Sequence, residues 1–261
     1  MKKLHNYGLK LSEVKPEDYI LGGFSTLPTV IVQETGQWDE FLPQIERQSS
    51  ARLESQGCVS FGSLNCIEML VKRLYNLSIN YSDRWLVKIS GTDPNGGNSP
   101  SVVLETLRKI GVPFQARWDF GDDIDSVEKF YENPPVKLYD YAREDFLNEY
   151  EFLHEYVNTD RESLKRALRY SPIGVGVTAW FENNGVFYSP AKVPNNHFCV
   201  LYGYDDKLEA WKIFDSYDNF TKLYSYNSLI SVAKRLYIKR KSIKEKSCFK
   251  SFKSWLDAIL A

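Results

Sequence analysis

The chain has 261 residues, with 33 basic and 34 acidic side chains and a formal net charge of −1. A 43% hydrophobic content with 6 Trp, 17 Tyr and 15 Phe supplies a core and excludes a disordered or coiled-coil chain. The length suits one compact domain or two closely packed lobes. No apolar run approaches the roughly 18 residues of a membrane span, and Met1 to Lys15 lacks the apolar stretch of a signal peptide, so no transmembrane segment and a cytoplasmic location are expected.

In chain order, residues 1–41 form a leader expected to wrap the body. Between Cys58 and Asn76, Phe61, Leu64, Ile67, Leu70, Val71 and Leu74 recur at three- and four-residue steps. That period predicts a helix with a buried face and Cys58 at its start. Gly91 to Asn98 reads as a surface loop, because no Lys-Ser/Thr follows its glycines as a phosphate loop would require. Ser99-Pro100 opens a second helix that runs to Gly111. His154, among Glu149, Glu151 and Glu155, reads as part of a solvated helix face. Thr159 and Glu162 form a capping box for a third helix.

After Pro172 the period changes to two. Ile173, Val175, Val177 and Ala179 alternate with smaller or polar residues, which predicts a strand. Asn183-Asn184-Gly185 supplies a turn before Val186 to Tyr188. His197 to Tyr204 and Glu209 to Asp215 follow as two further strands. A hairpin centred on Asp206 would set His197 directly opposite Asp215, with their side chains on one face. A mainly helical first half and extended second half imply an α+β architecture.

Composition narrows the chemistry. Four cysteines (Cys58, Cys66, Cys199, Cys248) show no zinc-ligand spacing, and there are only three histidines, so neither a disulfide framework nor a metal is expected. No cofactor and no nucleic-acid partner are expected either. A thiol nucleophile needs an ionisable sulfur, a base and a group that fixes the base. Cys58 at a helix N-terminus, where the dipole favours thiolate, His197 as acid and base, and Asp215 as its orienting partner meet those needs.

These residues resemble the papain-like cysteine proteases. Cys58-Val59-Ser60-Phe61-Gly62 is similar to variants of the catalytic-cysteine helix, and Asn196-His197-Phe198-Cys199-Val200-Leu201-Tyr202-Gly203-Tyr204 to the segment around the catalytic histidine. Asp215-Ser216-Tyr217 stands in place of Asn-Ser-Trp. Leu42 to Gln48 looks like the approach to the active site, and Ser171-Pro172-Ile173-Gly174-Val175 like the strand before the histidine. The resemblance covers Leu42 to Tyr217 and is more phage-like or bacterial than lysosomal. It implies a two-lobed fold, with a helical lobe (about 42–170) carrying the cysteine and an antiparallel, β-barrel-like lobe (about 171–240) carrying the histidine, within a peptidase domain of 42–230. It also implies hydrolysis of a polypeptide substrate by Cys58, His197 and Asp215, with Tyr217 shielding the ring.

The family's oxyanion-hole glutamine is matched by Gln48, with Gln56 as second choice. Gln48 stands ten residues before Cys58, and an insertion containing Arg52 to Ser55 accounts for the extra length. The same chemistry would serve an amidase or acyl transferase acting on cell-wall peptides, and a degenerate scaffold would serve as a binding module. Finally, Lys234 to Lys253 holds nine basic residues against one acidic, Glu245. With Phe249, Phe252, Trp255, Leu256, Ile259 and Leu260 at helical spacing, 241–261 reads as a basic amphipathic helix that docks on the body or contacts a membrane surface or protein.

Overall fold

A computed structural model describes residues 6–190 and 192–242. Six α-helices precede or interrupt an eight-stranded sheet: α1 (Cys58–Tyr75), α2 (Asp83–Ile89), α3 (Pro100–Ile110), α4 (Val127–Phe130), α5 (Lys137–Ala142) and α6 (Arg161–Leu168). The strands are β1 (Tyr150–Tyr156), β2 (Ile173–Val177), β3 (Phe181–Asn183), β4 (Val186–Tyr188), β5 (His197–Asp205), β6 (Ala210–Phe214), β7 (Thr221–Ser225) and β8 (Ala233–Arg240). Their spatial order is β1-β8-β2-β5-β6-β7-β4-β3. All neighbours are antiparallel except β4 and β7. The result is the expected α+β arrangement, with the cysteine on a helix and the histidine on the sheet.

Helix α1 is the central helix. Every residue from Cys58 to Val71 is buried, so it is enclosed on all sides rather than amphipathic at a surface. It ends at Asn76, which adopts the left-handed conformation and returns its N–H to the Lys72 carbonyl. Helix α3 begins as its sequence dictates, with the Ser99 hydroxyl accepting from the Val102 N–H and Pro100 in the first turn. Helix α6 is capped one residue later than the capping-box reading has it. The Asp160 carboxylate, not Thr159, accepts from the Ser163 N–H at 2.9 Å.

Residues 150–156 overturn the helix reading. They are strand β1, paired along its whole length with β8 from Tyr150↔Arg240 to Tyr156↔Lys234. His154 is buried and hydrogen-bonds through Nε2 to Glu105 Oε1 at 3.1 Å. The basic segment also divides: Lys234 and Arg235 are buried in β8, Lys234 over the Tyr156 ring and Arg235 paired with Glu155 at 2.6 Å. The amphipathic helix read over 241–261 lies almost wholly outside the described residues.

The β5–β6 hairpin also differs from expectation. Asp205 pairs with Ala210, Tyr204 with Trp211 and Gly203 with Lys212, and a bulge then shifts the register so that Leu201 faces Ile213 and Val200 faces Phe214. The turn is longer than one centred on Asp206 would be, and His197 is not directly opposite Asp215. His197 pairs instead with Val177 of β2. Asp215 lies just past the end of β6, its N–H donated to the Phe220 carbonyl.

Phe198 sets how closely helix and sheet approach. A Cβ on Gly62 of α1 would lie 2.9 Å from its ring, and one on Gly174 of β2 would lie 2.5 Å away. Both positions lack side chains, so Phe198 is clasped between α1 and β2. Adding a methyl group there overpacks a closed core, which costs about 1–3 kcal/mol. Gly174→Ala is therefore expected to lower the urea midpoint by a corresponding amount with the m-value unchanged; an unaltered midpoint would show that the clasp is loose.

Candidate active site

The first turn of α1 starts at Gly57, where a Cβ would collide with Val87 at 2.6 Å. The Ser55 hydroxyl accepts from the Gly57 N–H at 3.1 Å and fixes the entry to the helix. Cys58 follows, fully buried. Its sulfur lies beside the N–H groups of Val59 and Phe198, and Phe198 is the residue after His197. The clasp on Phe198 thus sets the start of α1 against the start of β5.

His197 is 0% exposed. Its Nε2 meets Asp215 Oδ1 at 2.6 Å, while Nδ1 has no hydrogen-bond partner. Asp215 is saturated. The Ser216 N–H also donates to Oδ1 at 2.7 Å, and Oδ2 accepts from Trp180 Nε1 at 2.9 Å and Lys222 Nζ at 2.7 Å. Burial works to raise the Asp215 carboxyl, but His197 and Lys222 outweigh it and hold it below the usual carboxylate range. Aromatic rings enclose the imidazole: Tyr217 at 5.5 Å, Trp180 at 5.6 Å and Tyr7 at 5.5 Å between centroids.

Gln48 is buried beside this group. Its backbone N–H donates to the Ser216 carbonyl at 3.2 Å, and its Oε1 accepts from the Ser216 hydroxyl at 2.7 Å. Residues 48–55 form a small hairpin: Ser55 returns its N–H to the Gln48 carbonyl, and Ser49 bridges to Glu54. The insertion therefore doubles back and brings Glu54 to Gln48. Glu54 Oε1 accepts from Gln48 Nε2 at 2.8 Å and from the Gln56 N–H at 3.0 Å, and Oε2 accepts from the Tyr217 hydroxyl. Gln56, in a left-handed conformation, turns its carbonyl against Gly8 of the leader.

The leader runs directly over these groups. Tyr7 donates its N–H to the Asn196 carbonyl at 3.0 Å, and its own carbonyl accepts from Gln48 Nε2 at 3.1 Å. Gly8 and Lys10 then bond to Asn98 on the Gly91–Asn98 loop. A Cβ on Gly97 would lie 1.8 Å from the Gly8 carbonyl oxygen, so the two strands of backbone touch.

The Cys58 environment differs from the helix-dipole expectation. Burial pushes the thiol well up; the Phe198 N–H is the main influence against it, the carboxylates of Glu54 and Asp215 add to the upward push, and the Val59 N–H gives a smaller downward one. Cys66 and Cys199 are likewise buried and raised by burial. Among the described residues no group of His, Cys, Asp and Glu is arranged to hold a metal. No helix among them is long and apolar enough to cross a membrane.

Of the residues singled out in the sequence, His197 touches both Asp215 and Tyr217, Gln48 adjoins them through Ser216, and Cys58 reaches the group through the Phe198 N–H, with no hydrogen bond from its sulfur to His197 Nδ1. Sequence reasoning missed Tyr7, Glu54, Trp180 and Lys222. Lys222 carried one signal: it is the inward residue of a strand whose burial alternates, a position where a lysine demands a buried partner.

No family model and no curated protein matches the chain. Solved structures do. Xylellain, a cysteine protease from Xylella fastidiosa, is 18% identical with a TM-score of 0.64, over 93% of this chain and 98% of its own. The clostridial cysteine protease Cwp84 is 16% identical with a TM-score of 0.62, over 78% of this chain and 57% of its own. Digestive procathepsin L 3 of Tenebrio molitor is 13% identical with a TM-score of 0.61, over 80% of this chain and 73% of its own. At such identities the likeness is one of fold, and the fold is that of the papain-like cysteine proteases.

Proposed function

We propose that the chain is a cysteine-type peptidase. The observation that carries this reading is the buried His197, tied to Asp215 through Nε2 with Nδ1 unbonded, and next in the chain to Phe198, whose N–H lies beside the Cys58 sulfur. Cys58 is the nucleophile. His197 takes its proton, gives a proton to the leaving amine, and then activates the water that releases the acyl-enzyme. Asp215 fixes the ring and Tyr217 shields it.

Gln48 Nε2 and the Cys58 N–H are the donors for the oxyanion. Tyr7 supports that role for Gln48, because its carbonyl already accepts from the same Nε2 while its N–H is bound by Asn196. We read the leader, which lies against Gln48, Asn196 and His197 through Tyr7, as occupying the place of a peptide substrate. No metal or organic cofactor has a part in this scheme.

One feature favours a second reading, a binding module on a degenerate protease scaffold. Glu54 competes for Gln48 Nε2 and sets a negative charge near the sulfur. The peptidase reading requires that Glu54 release Gln48 when the leader leaves.

Two measurements separate the readings. Iodoacetamide followed by peptide mapping should modify Cys58 well ahead of Cys66, and Cys58→Ser should remove casein hydrolysis while leaving the thermal midpoint within a few degrees; equal labelling of the two thiols would defeat the proposal. Because Tyr7 of the leader packs on His197 and Gln48, a chain starting at Leu11 should be alkylated at Cys58 at least ~10-fold faster than the full chain, the change expected when burial no longer disfavours the thiolate. Equal rates would mean that the leader does not control access.

A further inference from the structure

Lys222 is a lysine in a place where lysines are rarely found. It lies on β7 with its side chain 2% exposed, and all three of its ammonium protons are used: by Asp215 Oδ2 at 2.7 Å, the Asn219 carbonyl at 2.7 Å and the Asp218 carbonyl at 2.9 Å. Its Nζ also lies over the Trp180 ring at 5.1 Å. Nothing in the peptidase scheme above uses it.

We propose that Lys222 is a positioning residue for His197: its ammonium cancels the charge of Asp215, so that the buried carboxylate orients the imidazole as a neutral amide would. The reasoning is electrostatic. A carboxylate 2.6 Å from an imidazole and shut off from water favours the imidazolium strongly. An acid that holds its proton too firmly is a poor donor to the leaving amine, and in the second half of the cycle His197 must be neutral to activate water.

The resemblance described above has asparagine at the Asp215 position, a neutral acceptor. Here the pair Asp215–Lys222 sums to zero charge and still offers Oδ1 to Nε2. The hydrogen bonds fit this division: Oδ1 faces His197 and the Ser216 N–H, and Oδ2 faces Lys222 and Trp180. The rings packed against His197 are Tyr7 from the leader, Trp180 and Tyr217, and the charged groups acting on the neighbouring Cys58 are Glu54 and Asp215; none of these is cationic. Lys222 is thus the compensating charge at this end of the site.

The inference rests on the peptidase reading for its catalytic consequence but not for its electrostatics, and the test keeps the two apart. His197 is one of three histidines, so its ring can be followed by NMR through a pH titration. A Cys58→Ala background removes coupling to the thiol. Lys222→Met should raise the His197 midpoint by about one unit or more, and Asp215→Asn alone, which leaves Lys222 uncompensated, should lower it. The double variant Lys222→Met/Asp215→Asn should return it close to the starting value, and Lys222→Arg should leave it there.

A purely structural lysine would lower the thermal midpoint of the protein without moving the His197 titration, and that result would overturn the proposal. So would a double variant that titrates like Asp215→Asn alone. Should Lys222→Met not fold because it strands a buried carboxylate, the double variant buries no net charge and still decides the matter. With Cys58 intact, the alkaline limb of kcat/KM should move with the His197 midpoint. If the cycle holds and the chain hydrolyses no peptide, the peptidase reading fails and the charge compensation stands.

Discussion

The close approach of α1 to β5 is the constraint on which the rest of the structure depends. A cysteine on a helix and a histidine on a strand can act on one atom only if the two layers meet at van der Waals distance at the helix start. Phe198 sits at that meeting point, and Gly62 and Gly174 leave it no slack. Layers of helix and sheet usually stay apart by the thickness of their side chains, so two glycines against one aromatic ring are a local device for bringing backbone to backbone. The Phe198 N–H beside the Cys58 sulfur is its product.

Around that contact the polar groups are buried and nearly all satisfied, as burial demands. Asp215 accepts four hydrogen bonds and Lys222 donates three. Such a network stabilises little compared with an apolar core of the same volume, but it fixes one geometry, and breaking one partner leaves a buried charge alone. His197 Nδ1 is among the buried polar atoms here without a hydrogen-bond partner, as are Gln56 Oε1 and the Ser60 and Ser63 hydroxyls of α1.

Much of the site is legible in the sequence, though not always for the reason the sequence suggests. Cys58 at a helix start and His197 on a strand follow from apolar periods of 3.6 and 2. The His197–Asp215 contact exists, yet the hairpin register that predicts it does not: a bulge after Leu201 and a longer turn shift the pairing, and the contact is made across the end of β6. Strand β1 was hidden because Glu149, Glu151 and Glu155 look like a solvated helix face, whereas Tyr150, Phe152, His154 and Tyr156 alternate inward and Glu155 is neutralised by Arg235. Tyr7 and Glu54 were hidden for another reason. Their roles come from the leader laid over Gln48 and His197 and from the insertion folded back on Gln48, contacts that no local pattern encodes.

The central claim is that Cys58, His197 and Gln48 form one working site beneath the leader. A crystal structure of the chain with a peptide aldehyde tests it most directly, since the aldehyde adds a thiolate and leaves an oxygen where the oxyanion would form. The account predicts a bond to Cys58 Sγ, that oxygen held by Gln48 Nε2 and the Cys58 N–H, His197 Nδ1 within hydrogen-bond reach, and Tyr7 displaced. Aldehyde bound elsewhere, or Tyr7 and Glu54 still holding Gln48 with Cys58 unmodified, would contradict it.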